Sequence, residues 1–414
     1  MTTSALSAWR ARAGQACVLL FPALFFFLPS HVAPAYSITL LILALWCVEG
    51  DFARKWAELR QDSRFWIFLA LYAYLLLGMA WTEDVHEGKR ALGRYFLFAV
   101  SPLLLSVGRR VSPLRCISVF LAGMLVCEVL AYYNWFQMHV FSDWPAGPRV
   151  RKDPDDTAPF VDHILYSPML AWAGYLLLDR CWSAKTWRVR LGYGAFALLT
   201  LGNLMFSGGR AGQLVFLILL GLLVFQRFAR HPLRAAVLAG LAVVGALTVA
   251  YQGNGYFRER VDIAITEVSH YQEMKNTSTG LRLTFYANSI RMVAEHPFTG
   301  VGTGDFTQEY ARLNARYTPD WGATDNPHNQ YLFILTSLGI PGGILLLLAL
   351  CPPAAWRRRG DGMDQVRVAF MVFFAAICLF EDYLWRSNTS LLFFLYSSIF
   401  FAGEVKISKD TALV

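Results

Sequence analysis

Apolar residues come in blocks along nearly the whole chain, separated by short polar links. Each block runs roughly 17 to 25 residues, enough for a helix rising about 1.5 Å per residue to cross about 30 Å of hydrocarbon. The blocks fall at 14–29, 33–49, 65–81, 92–107, 114–140, 163–180, 191–206, 211–226, 235–251, 329–351, 367–381 and 389–403. This pattern predicts an all-α polytopic membrane protein of about twelve transmembrane helices. One stretch breaks the rhythm. Residues 252–327 are soluble-like, and they divide the chain into nine helices (1–251), a large, mainly helical segment (252–327) and three closing helices with a tail (328–414). Within that segment, Tyr256–Tyr271 and Leu281–Glu295 read as amphipathic helices, with Ser278-Thr279 placed to cap the second. The run His296-Pro-Phe-Thr-Gly-Val-Gly-Thr-Gly-Asp305 reads as a turn, because proline and three glycines oppose a helix. The loop 141–160 carries four prolines and reads as irregular chain along the outer surface.

Composition agrees, and charge adds a direction. Hydrophobic types make up 56% of the 414 residues and charged types 16%, where soluble domains carry about a quarter charged. The links fall into two alternating classes. One class, with both termini, holds 22 of the 37 basic residues against nine acids, a net of +13; the other nets −4. Short basic loops mark the cytoplasmic face, so both termini are expected inside and 252–327 outside. The overall charge of +8 is then a topological signal, not the footprint of a nucleic-acid binder. Arg10 and Arg12 precede the first block as in a signal peptide, but no A-x-A-like site follows; an uncleaved first span is expected. The seven cysteines lie in or beside apolar blocks with no CxxC or Cys/His spacing, which argues against disulfide frameworks and zinc.

Candidate chemistry concentrates on the outer side. Arg210, in Ser207-Gly-Gly-Arg-Ala-Gly212, runs against the positive-inside bias. It reads either as a structural arginine or as an anion site, where exposed N–H groups, a helix dipole and a guanidinium converge. His328, in Asp325-Asn-Pro-His-Asn-Gln-Tyr331, stands with Asn329 where the polar segment re-enters the membrane. A neutral imidazole there can orient or deprotonate a hydroxyl. Arg282 and Arg291 lie nine positions apart, so on one helix they face nearly opposite ways; Arg282, after a glycine near a helix start, has the better phosphate geometry. Weaker candidates are His163 at the outer start of a span, and Glu381 and Asp382 at the outer end of another, as boundary charges or partners of Arg210 or Arg386. Asp153-Pro-Asp155 has a metal-binding D-x-D spacing, but a solvated turn is the stronger reading, and no metal ligand set is assigned. Phosphate-loop, GxSxG and HExxH motifs are missing. Ionisable groups near mid-span are few, Glu128 being the main exception, which argues against an ion-coupled transporter.

These residues resemble the O-antigen ligase family and its relatives, the O-antigen polymerases and bacterial protein O-oligosaccharyltransferases. The resemblance rests on Ser207-Gly-Gly-Arg210, Gly280-Leu-Arg282, the His296–Phe306 run and His328-Asn-Gln-Tyr-Leu, in that order and on one side. His328-Asn329 is followed by nine residues and then Gly339-Ile-Pro-Gly342, similar to the ligase pattern; the Thr-Tyr that often follows is Gly343-Ile344 here. The resemblance implies a glycosyltransferase-C-like architecture in the bacterial inner membrane, with the active site facing the periplasm. It implies an undecaprenyl-diphosphate-linked glycan as donor and a sugar hydroxyl of lipid A–core as acceptor, with membrane lipids around the protein and no cofactor. Arg210 and Arg282 would hold the diphosphate and His328 would act on the acceptor hydroxyl, without a metal and with inversion. A polymerase, a protein transferase and, from a different class, a lipid-linked glycan flippase stay open as alternatives.

Overall fold

The computed structural model describes residues 3–140, 156–270, 277–353 and 359–401, and among them it has helices and no strand. The first set comprises α1 (Thr3–Phe27), α2 (Val32–Glu49), α3 (Phe52–Leu59), α4 (Ser63–Gly78), α5 (Val85–Arg94), α6 (Phe96–Gly108) and α7 (Pro113–His139). A second set follows: α8 (His163–Ser183), α9 (Trp187–Phe206), α10 (Arg210–Arg227) and α11 (Pro232–Gly253). The polar segment contributes α12 (Gly255–Ser269), α13 (Ser278–Glu295) and α14 (Phe306–Tyr317); α15 (Gln330–Leu350), α16 (Asp364–Ile377) and α17 (Ser387–Phe400) close the chain.

Among the described residues, eight stretches are long and apolar enough to cross a membrane: α1, α2, α5 with α6, α7, α9, α10, α11 and α15. Of the remaining helices, α17 and α8 are enclosed by protein. α17 has 14 residues, a rise of about 21 Å, yet every residue from Asn388 to Phe400 is buried. α8 is buried continuously from Leu165 to Leu177. A helix apolar all round and enclosed by protein need not match the thickness of a bilayer. At their contact Trp172 stacks on Tyr175 and Phe373 and meets the edge of Tyr396, with centroids 5.4 to 5.6 Å apart. α11 is the opposite case. Only Ala235 is buried along it, and Leu233, Leu241, Val244 and Val249 are exposed, the surface expected against lipid.

One end of the bundle is rich in buried, paired charge. The carbonyls ending α17 receive three guanidiniums: Arg64 on Ser397, Arg367 on Phe400 at 2.6 Å and Arg359 on Phe401 at 2.7 Å. These carbonyls stand at a helix C-terminus, where acceptors are left over and the dipole also favours cations. Glu49 pairs with Lys55 at 2.9 Å and Arg110 at 2.6 Å, and Asp179 pairs with Arg227.

At the opposite end the glycine-rich turn His296–Asp305 is a brace. Val301 and Gly302 donate to the carbonyls of Thr336 and Ser337 at 2.9 and 3.1 Å, and Ile340 donates to that of Pro297 at 2.8 Å. These bonds bracket Gly339, which breaks α15 with a φ of 68°, a backbone region that glycine enters without strain. Asp305 accepts from the N–H groups of Glu83 and Asp84, tying the turn to the start of α5. Two motifs that read as separate in sequence are one contact. The expected cap of α13 lies one residue earlier, since Thr277 accepts from the N–H of Gly280 at 3.2 Å. The loop expected along the outer surface also differs: 141–155, with Asp153 and Asp155, fall outside the described residues, but Asp156–Pro159 are buried.

Candidate active site

His328 sits in the short link that leads into α15. Its φ is 53°, uncommon for a residue with a Cβ. The conformation is held from several sides. The His328 N–H donates to Asn326 Oδ1 at 2.6 Å, and Tyr286 on α13 donates its hydroxyl to the carbonyls of His328 and Leu379. Phe285 stacks on the imidazole with centroids 6.1 Å apart. Backbone strain fixed in this way is a recurring feature of functional sites.

The imidazole Nδ1 lies 2.9 Å from Glu381 Oε2. Because a carboxylate only accepts, Nδ1 carries the proton and, in the neutral ring, Nε2 holds the lone pair. Among the described residues Nε2 has no partner, and the side chain is 30% exposed against 1% for Glu381. Glu381 and Asp382 lie in the link between α16 and α17. Burial acts to raise the Glu381 pKa, but the hydrogen bond and charge of His328 with the charge of Arg386 outweigh it and hold the carboxyl below its ordinary range. Asp382 goes the other way: complete burial and the neighbouring Glu381 push its carboxyl well above the usual range. Neither Asp382 oxygen has a hydrogen bond of good geometry, which suits a neutral acid and not a carboxylate.

The two residues after His328 are absorbed by the fold. Asn329 is the N-cap of α15, accepting from Tyr331 and Leu332 at 3.0 and 3.1 Å. Gln330 is fully buried, donating to Tyr95 Oη at 2.7 Å and accepting from Leu384 N–H at 2.9 Å. One capping residue and one anchor thus set the histidine between them.

The remaining candidates divide. Arg282, half-buried on the first turns of α13, has no hydrogen bond or ion pair among the described residues. Its charge acts on Tyr286 and on Tyr383, and Tyr383 also feels Glu381 and Asp162. Tyr286 is four residues beyond Arg282, on the same face of the helix. Arg291 is elsewhere, hydrogen-bonded to Asn288 Oδ1 at 2.7 Å and lying 4.6 Å over the ring of Tyr317. Arg210 is the first residue of α10, and that helix start is pressed onto α8. A Cβ on Gly209 would fall 2.0 Å from Ser167 Oγ and 3.0 Å from the His163 carbonyl, and one on Gly212 would meet the Ser167 carbonyl at 2.4 Å. Only glycine permits that approach. Tyr383 closes the circuit by donating its hydroxyl to the Ile164 carbonyl at 3.0 Å. Arg210, Arg282, His328 and the start of α8 therefore gather at one end; Arg291 does not join them. Glu128 lies apart, buried in α7 and hydrogen-bonded by Thr200 at 2.9 Å.

Sequence reasoning missed Tyr286 and Tyr383. The signal for Tyr286 was its i+4 spacing from Arg282; for Tyr383, a lone tyrosine after two acids, there was none. Among the described residues, Glu295, His296 and Glu309 are close enough to share a cation. Arg312 already ion-pairs with both of those acids.

Fold and site together define a polytopic helical membrane protein with a cationic, histidine-bearing polar site at one end of its bundle. Residues 195–347, the stretch holding Arg210, Arg282 and His328, match the family model described as O-antigen ligase. An uncharacterised protein of Haemophilus influenzae is 24% identical over 165 residues. That match spans 38% of this chain and 40% of the relative's length.

Proposed function

We propose that this protein is an O-antigen ligase, transferring a glycan from undecaprenyl diphosphate to a sugar hydroxyl of lipid A–core at the periplasmic face of the bacterial inner membrane. The observation that carries the reading is His328, oriented by buried Glu381 and partly exposed, at the same end as an Arg282 with no hydrogen bond or ion pair among the described residues. His328 Nε2 takes the proton of the acceptor hydroxyl as its oxygen attacks the anomeric carbon. The bond from that carbon to the diphosphate oxygen breaks on the opposite side, so configuration inverts. Glu381 balances the imidazolium as it forms. Arg210 and Arg282 hold the diphosphate and stabilise the charge that grows on it, so the chemistry asks for no metal. In this reading the arginine-rich end is cytoplasmic, by the charge bias of short loops.

The family model extends as readily to a polymerase or protein transferase, and one experiment separates them. Deletion of a ligase leaves bare lipid A–core while long glycan accumulates on its carrier. Core bearing a single repeat unit would identify a polymerase. Unaltered lipopolysaccharide would point to a protein acceptor, and carrier glycan trapped inside would point to a flippase.

A further inference from the structure

The histidine end holds a second imidazole–carboxylate pair built like the first. Asp156 is buried and accepts three hydrogen bonds, from the Ala158 N–H at 3.0 Å, the His163 N–H at 2.7 Å and His163 Nδ1 at 2.9 Å. It therefore fixes His163 by backbone and ring together, while the His163 side chain stays 42% exposed. The position of this pair is informative. The His163 carbonyl packs against Gly209, next to Arg210, and the following carbonyl, Ile164, receives the hydroxyl of Tyr383, which lies in the field of Arg282. His163 thus stands at the first turn of α8, whose backbone packs on Gly209 beside Arg210 and is tied through Tyr383 to the surroundings of Arg282, and the dipole of the helix start favours an anion there.

We propose that His163, as an imidazolium oriented by Asp156, is a third cationic ligand of the donor's diphosphate. This rests on the reading of Arg210 and Arg282 as the diphosphate site. The two pairs then divide the labour: Glu381–His328 serves the nucleophile, and Asp156–His163 serves the leaving group. A diphosphate with three cationic donors gains one more charge-assisted hydrogen bond as its charge rises in the transition state.

The test uses the purified full chain and farnesyl diphosphate, a short polyprenyl diphosphate, as probe. Histidine modification by diethylpyrocarbonate is followed by mass spectrometry, with His296 (43% exposed) as an equally accessible reference. Saturating farnesyl diphosphate is expected to slow modification of His163 at least about fivefold and leave His296 unchanged, whereas farnesol gives no protection. Replacing His163 by Gln should weaken farnesyl diphosphate binding about 10- to 100-fold, the worth of a charged hydrogen bond, and His163→Arg should restore most of it. Unprotected His163 alongside tight binding that Arg282→Ala abolishes would overturn the proposal and leave the arginine site standing. Equal protection by farnesol would assign the effect to the lipid tail and overturn it as well. Failure of the wild-type protein to bind the diphosphate would remove both readings.

Discussion

The two ends of the bundle use the same side chains to opposite effect. At the arginine-rich end, charges are buried and answered within the fold. Arg64 is fully buried against Asp62 and the Ser397 carbonyl, and Arg367 is held by Asp361, Asp364 and the Phe400 carbonyl. At the histidine end, Arg282 is unanswered among the described residues, His328 Nε2 has no partner among them, and neither oxygen of buried Asp382 has a hydrogen bond of good geometry. The lesson concerns completion. A guanidinium whose donors are taken by helix-end carbonyls and carboxylates stabilises the fold, because removing it strands a buried charge. One whose donors are left over is available to a ligand.

The comparison is broken most readily where the largest effect is expected. His328→Ala should lower glycan transfer about 1,000-fold or more, and Arg282→Ala about 100- to 1,000-fold. Membrane levels of both variants should stay near wild type; normal transfer by either, measured with a lipid-linked donor, would put the reaction elsewhere. Arg64→Ala should do the reverse. It leaves Asp62 with only the more distant Arg109, at 3.5 Å, and the Arg64 backbone N–H, which is expected to remove about 3 kcal/mol of stability, read as a lower melting temperature and poor yield, with unchanged turnover per folded molecule.

Two adjacent carboxyls sharpen the contrast through opposite pH dependence. The Glu381 pKa is lowered in the fold, so its stabilisation is present above the ordinary glutamate range and is lost as pH falls through the depressed value. Glu381→Gln should therefore flatten the loss of thermal stability on acidification, while lowering transfer about 10- to 100-fold as His328 loses its orienting partner. The Asp382 pKa is raised, so its contribution is present below the ordinary aspartate range and is lost as pH rises through the raised value. Asp382→Asn should remove that loss, measured by melting from about pH 4 upward, and leave the protein at least as stable at neutral pH. The smallest effect is expected at Arg90, half-exposed and paired with Glu87 at 3.2 Å: Arg90→Ala should shift stability by no more than about 0.5 kcal/mol. A large loss there would mean that exposed pairs matter more in this fold than the division between ends allows.

Much of this was legible before any tertiary contact was known. Block length and hydropathy specify helices, because a backbone in hydrocarbon must satisfy its own hydrogen bonds within each segment. The eight long apolar stretches follow from that rule, and His328 and Arg210 stood out as polar groups at block ends, Arg282 as a cation near a helix start in the polar segment. Other features depended on which helices meet. The pattern cannot tell a helix enclosed by protein, such as α17, from one with an exposed surface, such as α11, since both are apolar all round. It also could not distinguish Asn329, a cap, from His328 beside it, nor tell that the His296–Asp305 turn braces the break at Gly339. The pairings Glu381–His328 and Asp156–His163 join residues 53 and seven positions apart, with no shared periodicity to announce them. By itself, then, the sequence determined where helices form and which polar groups stand at their ends, because those follow from local chemistry. Only the tertiary structure decided which charges are spent on the fold and which remain for a substrate, because a charge is satisfied by its neighbours in space.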